Sequence, residues 1–553
     1  MRGSRVPGKP HSHRWWRTGW VVGVALLAAC SGTLRPAGPP KEDQLLVARR
    51  LWHDTAETQR RDIAARNWLR CAVAAYRASD SDEAARQAEA QSIADGCTHQ
   101  LMGYLLDQEP GAWRPHTIQV LDESVRVVFR DLPSSLDDGP LALARADEVT
   151  VPVVMGERYT SPGYGVALVG WQAQCHDRPI CVLDPPDGVT RALTAWVEPG
   201  DDGVAQLVVA GTRKHPAITI GHRDVPLAAD FSAPYAALFD RSHINRAAVW
   251  SLIGGHEFAQ RQGLYLLEDY DPAKTPLIMV HGLGRSPMIW AKLTNLIDGS
   301  PELRNRYQVW HVVYPTNTPL LLDRLYVQRM MDNAWHILDP EGTAPAHQNM
   351  VLIGHSMGGV ISRLLVSNSG DVVWNAVFDI PPDQLHGAPT DIATLESVTR
   401  FQAYPGVTRA FFLASPHLGS PYVDSVVGWL AQRVIHAHTP ELDALLRVAA
   451  ENRSHENPLL AEDYERNGLS SISTLRSTQP VSRAAQSLMP VPGVRYYTFA
   501  GHLPGTHPPS DGFVPLASAL IPGATSTTIV KDGHQLYLND EVLEKIVEIL
   551  RQP

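Results

Sequence analysis

The spacing of hydrophobic residues divides the chain into three regions after its N-terminal segment. Between residues 43 and 110, apolar residues recur at helical spacing, as Leu69 and Val73 do, which predicts a helical region. Asp80 and Glu83 have the spacing of a capping box, which predicts that the second long helix starts there. We therefore expect a small group of packed helices in this region.

Residues 111–240 show a different pattern. Apolar and polar residues alternate over short runs such as Thr117–Arg130, and Asp-Gly and Pro-Gly pairs separate the runs. Alternation with period two and frequent turn residues predict a small β-rich region. No combination of side chains in it indicates a chemical reaction, so packing or partner binding is its expected role.

From residue 241 to residue 553, short apolar runs alternate with helical stretches. The runs at Leu277–Val280, Met350–Ile353 and Ser526–Val530 have the length and composition of buried strands, and Leu320–Leu338 has that of a helix. Alternating strands and helices predict an α/β fold with a mostly parallel sheet that is covered on both faces.

The first 29 residues have the composition of an export signal. Five basic residues and no acidic residue precede the apolar run 21–30, which is too short to span a bilayer as a helix. We therefore expect a signal peptide at 1–29. The segment 30–42, rich in Pro and Gly, is expected to be a flexible tether.

Leu27–Cys30 resembles the bacterial lipobox, in which the cysteine receives a diacylglycerol before cleavage. The resemblance implies that Cys30 is lipidated and that this lipid anchors the chain to the membrane. Ser31 after the cysteine favours the outer membrane, again by resemblance. The alternative is an ordinary signal peptide with an incidental cysteine.

Four cysteines remain if Cys30 carries lipid, and an even number suits an oxidising compartment. We predict two disulfides, one between Cys71 and Cys97 and one between Cys175 and Cys181. Buried free thiols are the alternative. The spacings fit no zinc motif, so we expect no metal site.

The charge of the chain excludes one class of partner. There are 48 Lys and Arg residues against 58 Asp and Glu residues, for a formal net charge of −10. A chain without a basic surface lacks the electrostatic signature of nucleic-acid binding, so we expect no nucleic-acid partner. No later segment has 18 uninterrupted apolar residues, so membrane contact is expected through the N-terminal lipid alone.

Residues 354–358 form a G-x-S-x-G motif between a predicted strand and a predicted helix. The glycines leave room for a sharp turn that projects the hydroxyl of Ser356 towards a reactant. A serine hydroxyl is a weak nucleophile at neutral pH, so it needs a base within hydrogen-bonding distance. A Gly-Ser turn without a chemical role is the alternative.

The region from about residue 264 to residue 551 resembles the α/β-hydrolase superfamily, in particular its bacterial lipase/esterase-like branch. The motifs that match occur in the order of that family: His281–Gly284, Gly354–Gly359, Pro416–Ser420, Asp511–Pro515 and Gly533–His534. The resemblance covers about half of the chain and implies an α/β-hydrolase domain at 241–553. A helical cap insertion is implied at 421–490, and a rigid helical decoration is the alternative.

The same resemblance assigns roles to three side chains. It implies that Ser356 is the nucleophile, His534 the base and Asp511 the carboxylate that orients the base. His502 and His507 are alternative bases.

Asp379 and Asp424 are alternative carboxylates. The backbone N–H groups of Leu283 and Met357 are the implied oxyanion hole. Pro416–Ser420 is expected to line the site without reacting.

The expected function is that of an exported, lipid-anchored serine hydrolase that cleaves carboxylic esters through an acyl-enzyme intermediate. The expected partner is an ester or lipid substrate, and no cofactor is needed. An acyltransferase or a thioesterase would use the same three residues. A further alternative is a cell-envelope interaction module on an inactive hydrolase scaffold.

Overall fold

The computed structural model describes residues 43–111, 113–136, 140–242, 261–420, 439–467, 474–476 and 479–552. The predicted signal peptide, the predicted lipidation site at Cys30 and the predicted tether lie outside the described residues. Within these ranges, no helix has both the length and the apolarity needed to cross a membrane.

The α-helices of the described residues, numbered in chain order, are α1 (Gln44–Ala56), α2 (Arg61–Ser79), α3 (Ala84–Gln108), α4 (Ala233–Arg241), α5 (Ala291–Gly299), α6 (Pro301–Arg306), α7 (Leu320–Leu338), α8 (Met357–Leu365), α9 (Pro389–Thr399), α10 (Pro440–Glu451), α11 (Pro458–Asn467), α12 (Pro480–Gln486), α13 (Leu516–Ala519) and α14 (Asp540–Arg551).

The strands of the described residues are β1 (His116–Val120), β2 (Glu123–Arg130), β3 (Ala142–Arg145), β4 (Thr160–Ser161), β5 (Val166–Gln172), β6 (Val189–Pro199), β7 (Ala205–Gly211), β8 (Ala217–Ile220), β9 (Arg223–Pro226), β10 (Ala229–Asp230), β11 (Gly263–Leu266), β12 (Thr275–Val280), β13 (Tyr307–Val313), β14 (Met350–His355), β15 (Val407–Leu413), β16 (Arg495–Gly501) and β17 (Ser526–Val530).

Helices α1, α2 and α3 pack through small buried side chains, among them Ala65, Ala72 and Ala75, which let the helix backbones approach closely. A disulfide between Cys71 of α2 and Cys97 of α3, with the Cα atoms 6.0 Å apart, joins two of these helices. The first predicted disulfide is therefore present.

The predicted capping box at Asp80 and Glu83 is wrong. Helix α3 begins at Ala84, and the Glu83 side chain makes no capping hydrogen bond. Asp80 instead ends helix α2. The hydroxyl of Ser81 accepts a hydrogen bond from the Glu83 amide at 3.3 Å, so a local turn occupies the residues that the capping box needs.

The β-rich region contains a six-stranded sheet in the order β1-β2-β7-β6-β5-β3, in which only the pair β2–β7 is parallel. One face of this sheet packs against α2 and α3. Leu69 and Leu101 of the helices belong to the same hydrophobic cluster as Trp196 and Val208 of the sheet. The helices and the sheet therefore share one core.

A seven-stranded sheet follows in the order β11-β13-β12-β14-β15-β16-β17. Only β11 is antiparallel to its neighbour. Successive residues of β12 point to opposite faces: Ile278 packs with α7 and α8, and Leu277 packs with α5 and α14. The predicted α/β fold with helices on both faces is confirmed.

Ion pairs join the β-rich region to the seven-stranded sheet. Arg213 lies 2.8 Å from Glu268 and 2.6 Å from Asp298. The second predicted disulfide, Cys175–Cys181, is also present. The short helix that contains Cys181 ends at Leu183, which is buried in the core around α7, so this turn is part of the packing between the two sheets.

Candidate active site

Ser356 lies in a sharp turn between strand β14 and helix α8. Its backbone angles are φ +56° and ψ −124°, which a residue with a side chain rarely adopts. At the edge of the sheet, where β14 ends and α8 begins, the turn projects the serine side chain outward. This is the position that the G-x-S-x-G motif predicts for a nucleophile.

The glycines of the motif are required by close backbone packing. A Cβ atom on Gly358 would lie 2.2 Å from the carbonyl oxygen of Val280, and one on Gly354 would lie 2.4 Å from that of Gly358. Real contacts do not reach these distances. The first turn of α8 therefore packs directly on the end of β12, which also brings the turn after β12 next to the serine.

His534 and Asp511 complete a hydrogen-bonded chain with Ser356. The Nε2 atom of His534 lies 2.9 Å from Ser356 Oγ, and its Nδ1 atom lies 2.8 Å from Asp511 Oδ2. Of the described histidines, including the alternatives His502 and His507, only His534 hydrogen-bonds to this hydroxyl. Three residues far apart in the sequence are thus brought together in one hydrogen-bonded chain.

Asp511 is fixed in its orientation by the backbone around it. Its Oδ1 atom accepts hydrogen bonds from the amides of Phe513 at 2.9 Å and Val514 at 2.7 Å, which leaves Oδ2 for His534. The residue is only 2% exposed. The alternative Asp379 is exposed and hydrogen-bonds to His455, and Asp424 lies outside the described residues.

Three other histidines of the sequence motifs are uncharged at neutral pH. Burial lowers the pKa of His281 to about 4, and it lowers the pKa of His355 and His417 well below the usual range. His417 accepts a hydrogen bond from Nε of the buried Arg363 at 3.1 Å. These rings therefore act as neutral structural groups around the site, a role that their motifs alone did not specify.

The two amides predicted to form the oxyanion hole, those of Leu283 and Met357, lie in segments next to Ser356. A Cβ atom on Gly282 would come within 3.0 Å of Ser356 Cβ, so the loop that carries Leu283 lies against the serine. Met357 is the first residue of α8. Within the described residues, neither the Leu283 amide nor the Met357 amide donates a hydrogen bond, so both N–H groups are available to a ligand.

The segment Pro416–Ser420 is tied to the turn that holds Asp511. The hydroxyl of Ser420 donates to the carbonyl oxygen of Phe513 at 2.6 Å, and that of Ser518 donates to the carbonyl oxygen of Gly419 at 2.5 Å. The ring of Phe513 in turn lies 5.2 Å from that of His534. The segment is therefore hydrogen-bonded to the turn next to the site, and its lining of the site stays a prediction.

The predicted cap region contains helices α10, α11 and α12, and its first part, residues 421–438, lies outside the described residues. These helices and α7 and α9 enclose a cavity of about 280 Å³. Its lining is predominantly aliphatic and includes Leu321, Leu322, Leu395, Val398, Leu445, Leu446, Ala449 and Leu460. Arg453 and Glu456 also line it, but the aliphatic majority makes the cavity suitable for an apolar chain.

Hydrogen bonds connect the cavity wall to the site. The hydroxyl of Thr474, which lines the cavity, accepts from the Leu320 amide at 3.0 Å. The next residue, Leu475, accepts from the Ser420 amide at 3.3 Å. Residues 474 and 475 are therefore hydrogen-bonded both to the start of α7 and to the segment Pro416–Ser420.

Among the described residues, only Cys175, Asp177 and Cys181 form a group close enough to hold a metal ion. Both sulfur atoms are used in the disulfide, which removes the thiolate ligands that a soft metal requires. This group is therefore a structural cross-link.

Comparison with known proteins gives the following similarities. A family model described as "Alpha/beta hydrolase family" matches residues 277–538. The chain is 16% identical to the mature lipase BlEst2 of Bacillus licheniformis, with 52% of this chain and 97% of that chain covered and a TM-score of 0.29.

Two further solved structures are similar to about half of this chain. Lipase 1 of Pelosinus fermentans is 13% identical over 51% of this chain and 99% of its own, with a TM-score of 0.30. Esterase B of Lactobacillus rhamnosis is 12% identical over 57% and 92%, with a TM-score of 0.29. A search of curated protein sequences found no match. The family match covers the strands and loops that carry the three side chains described above, so the similarity to the alpha/beta hydrolase family extends over residues 277–538.

Proposed function

We propose that this protein is a serine hydrolase that cleaves carboxylic esters through an acyl-enzyme intermediate. The observation that carries the proposal is the hydrogen-bonded chain from Ser356 through His534 to Asp511, at the strained turn before α8. A nucleophile, a base within hydrogen-bonding distance and a group that orients the base are the arrangement that acyl transfer requires.

In the first half of the reaction, Ser356 Oγ attacks the ester carbonyl carbon as His534 Nε2 takes the hydroxyl proton. The C=O π electrons move to oxygen, and the N–H groups of Leu283 and Met357 stabilise that oxyanion. When the tetrahedral intermediate collapses, the bond to the leaving alkoxide breaks and His534 gives it the proton. The products of this half are an alcohol and an acylated Ser356.

In the second half, water replaces the alcohol. His534 takes a proton from water as the water oxygen attacks the acyl carbon, and it returns that proton to Ser356 Oγ when the acyl-serine bond breaks. Asp511 accepts the Nδ1–H hydrogen bond throughout, which keeps Nε2 free for the proton and stabilises the imidazolium. The acid is released and the enzyme returns to its starting state.

The apolar cavity supports an ester with an aliphatic acyl chain as the substrate. Pro319 lines the cavity, and Thr316, three residues earlier, contacts the Gly284 amide beside the oxyanion position. Three residues of extended chain span at most about 11 Å, so the cavity wall at Pro319 lies within that distance of Thr316. Its volume of about 280 Å³ is roughly twice the 150 Å³ of an apolar cavity that binds benzene.

The test is hydrolysis of p-nitrophenyl acetate, butyrate and octanoate by the wild type and by Ser356→Ala and His534→Ala. We expect turnover by the wild type and losses of several orders of magnitude in both variants, with the double variant little worse than either single variant. Near-normal turnover by folded Ser356→Ala would overturn the proposal, as would a wild type that hydrolyses none of the three esters.

We also propose that the protein is exported and anchored by lipid on Cys30. Supporting this, the four other cysteines are joined in two disulfides, which persist in oxidising compartments. A Cys30→Ala variant should leave the membrane fraction or accumulate as an unprocessed precursor. A fully soluble wild type without acyl mass on its N-terminal residue would contradict this assignment.

A further inference from the structure

Two neighbouring strands end beside the loop that carries the Leu283 amide. Strands β12 and β13 are parallel, with Val280 opposite Val312. The loop His281–Gly284 and the segment Tyr314–Thr316 therefore leave the same edge of the sheet, side by side. Tyr314 and Thr316, the two ends of the second segment, belong to none of the sequence motifs described above.

Tyr314 holds the first residue of the loop. Its hydroxyl donates a hydrogen bond to the carbonyl oxygen of His281 at 2.6 Å, and its ring stacks on the imidazole with the ring centroids 4.6 Å apart. Both side chains are fully buried. Burial raises the pKa of Tyr314 well above its usual value and lowers that of His281 to about 4, so this contact joins two neutral groups at neutral pH.

Thr316 holds the last residue of the loop. Its Oγ1 atom accepts a hydrogen bond from the Gly284 amide at 3.1 Å. Gly284 has a left-handed backbone with φ +62°, and the Arg285 amide donates to the carbonyl oxygen of Gly282 at 3.2 Å. The loop is therefore a closed turn. Its last residue is held by the side chain of Thr316, which follows the neighbouring strand β13.

The segment that supplies these contacts is itself anchored. The hydroxyl of Thr318 donates to Asp323 in the first turn of α7. Asp323 is fully buried, and burial raises its pKa well above the usual range, which favours the uncharged carboxyl. The residues after β13 thus form a rigid support for the loop after β12.

We propose that Tyr314 and Thr316 are positioning residues for the oxyanion-binding amide of Leu283. The inference rests on the proposed function. Neither side chain touches the reacting atoms. By holding the carbonyl of His281 and the amide of Gly284, they fix both ends of the turn, and the Leu283 N–H between them keeps one direction. A donor that is fixed before charge develops stabilises the transition state more than a mobile one does.

The test compares three variants on one activated ester. Thr316→Val keeps the shape of the side chain but loses the acceptor, Thr316→Ser keeps the acceptor, and Tyr314→Phe loses only the donor. We expect kcat to fall about tenfold in Thr316→Val and Tyr314→Phe with KM nearly unchanged, which is less than the roughly 10²–10³-fold loss when an oxyanion donor is removed. Thr316→Ser should stay near the wild type.

A second readout separates positioning from general destabilisation. A trifluoromethyl ketone forms a tetrahedral adduct with a reactive serine, so its Ki should rise by the same factor as kcat/KM falls. A substitution that only lowers the melting temperature would leave that Ki unchanged. Wild-type kcat in both Thr316→Val and Tyr314→Phe, or equal losses in Thr316→Val and Thr316→Ser, would overturn the inference while leaving the proposed function intact. An inert wild type would overturn both.

Discussion

His355 Nε2 donates a hydrogen bond to the main-chain carbonyl oxygen of His534 at 2.8 Å. The His355 ring is buried, and its edge-to-face contact with Tyr537 has a centroid distance of 4.8 Å. Because burial keeps this imidazole neutral, the contact adds no charge beside the base. The residue that precedes Ser356 therefore fixes the backbone of the histidine that receives the serine proton in the proposed mechanism.

His355→Phe should lower kcat. Phenylalanine keeps a ring beside Tyr537 but cannot donate to the His534 carbonyl, and a lost hydrogen bond is worth roughly 1–1.5 kcal/mol, or about tenfold in rate. His355→Gln, which retains a donor, should lose less. Steady-state kinetics on p-nitrophenyl butyrate decide the matter, and equal rates for His355→Phe and the wild type would show that the contact has no part in turnover.

Asp511→Asn should lose most turnover, roughly 10⁴-fold if the residue acts as the carboxylate of a serine-protease triad does. The amide leaves the substrate cavity and the Ser356 hydroxyl in place but does not favour the Nδ1–H form of His534. Asp379→Asn is the matched control, since Asp379 is exposed and bonded to His455 instead. Turnover is measured for both variants and for Asp424→Asn.

If Asp379→Asn or Asp424→Asn were the inactive variant and Asp511→Asn stayed active, the carboxylate would be misassigned. The proposed nucleophile and base would remain, because their assignment rests on the contact between Ser356 and His534.

Ala449→Trp should change the preferred acyl chain length. Ala449 lines the apolar cavity from helix α10, so an indole there occupies the space that a long chain needs. We expect octanoate turnover to fall about tenfold or more while acetate turnover changes little, since the short chain does not reach the cavity. Glu451→Trp, on the exposed side of the same helix, is the control. Parallel losses on both esters would place the acyl chain elsewhere.

The N-terminal half should become less stable as the pH rises from about 4 to about 7, because of Asp95. Burial raises the pKa of Asp95 to about 7, and its Oδ1 atom accepts from the Gly165 amide at 2.6 Å. Over this range the folded carboxyl keeps its proton while the unfolded one has lost it, so the free energy of unfolding decreases as pH rises and levels off above pH 7.

Asp95→Asn keeps the acceptor for Gly165 but cannot ionise. The variant should therefore gain melting temperature relative to the wild type as pH increases from 4 to 7. Thermal unfolding at several pH values measures this difference. Melting curves whose separation is the same at every pH would contradict the assignment of the effect to Asp95.

Local sequence patterns predicted much of the fold. The helix at Leu320–Leu338 and the strand at Ser526–Val530 have the predicted bounds, because periodicity and turn residues act within a few residues. The family resemblance also assigned Ser356, Asp511 and His534 to loops that follow strands, and the structure joins the three side chains by hydrogen bonds. A parallel sheet aligns the ends of its strands, so order along the chain carries spatial information.

Contacts that depend on tertiary packing were not predicted. The walls of the apolar cavity come from helices that are up to about 160 residues apart, such as those of Leu321 and Val481. Tyr314 and Thr316 carry no motif, and the only available signal was their place directly after a strand. The predicted capping box at Asp80 and Glu83 was wrong for a similar reason. A local turn forms at these residues in place of the capping hydrogen bonds.

The most direct test of the central claim is labelling with a fluorophosphonate followed by peptide mass spectrometry. Such a probe phosphonylates a serine only when a base activates the hydroxyl and an oxyanion site receives the developing charge. We predict one adduct per chain, on Ser356, which is absent in Ser356→Ala and strongly slowed in His534→Ala. An unlabelled wild type, or an adduct that persists in Ser356→Ala, would contradict the account.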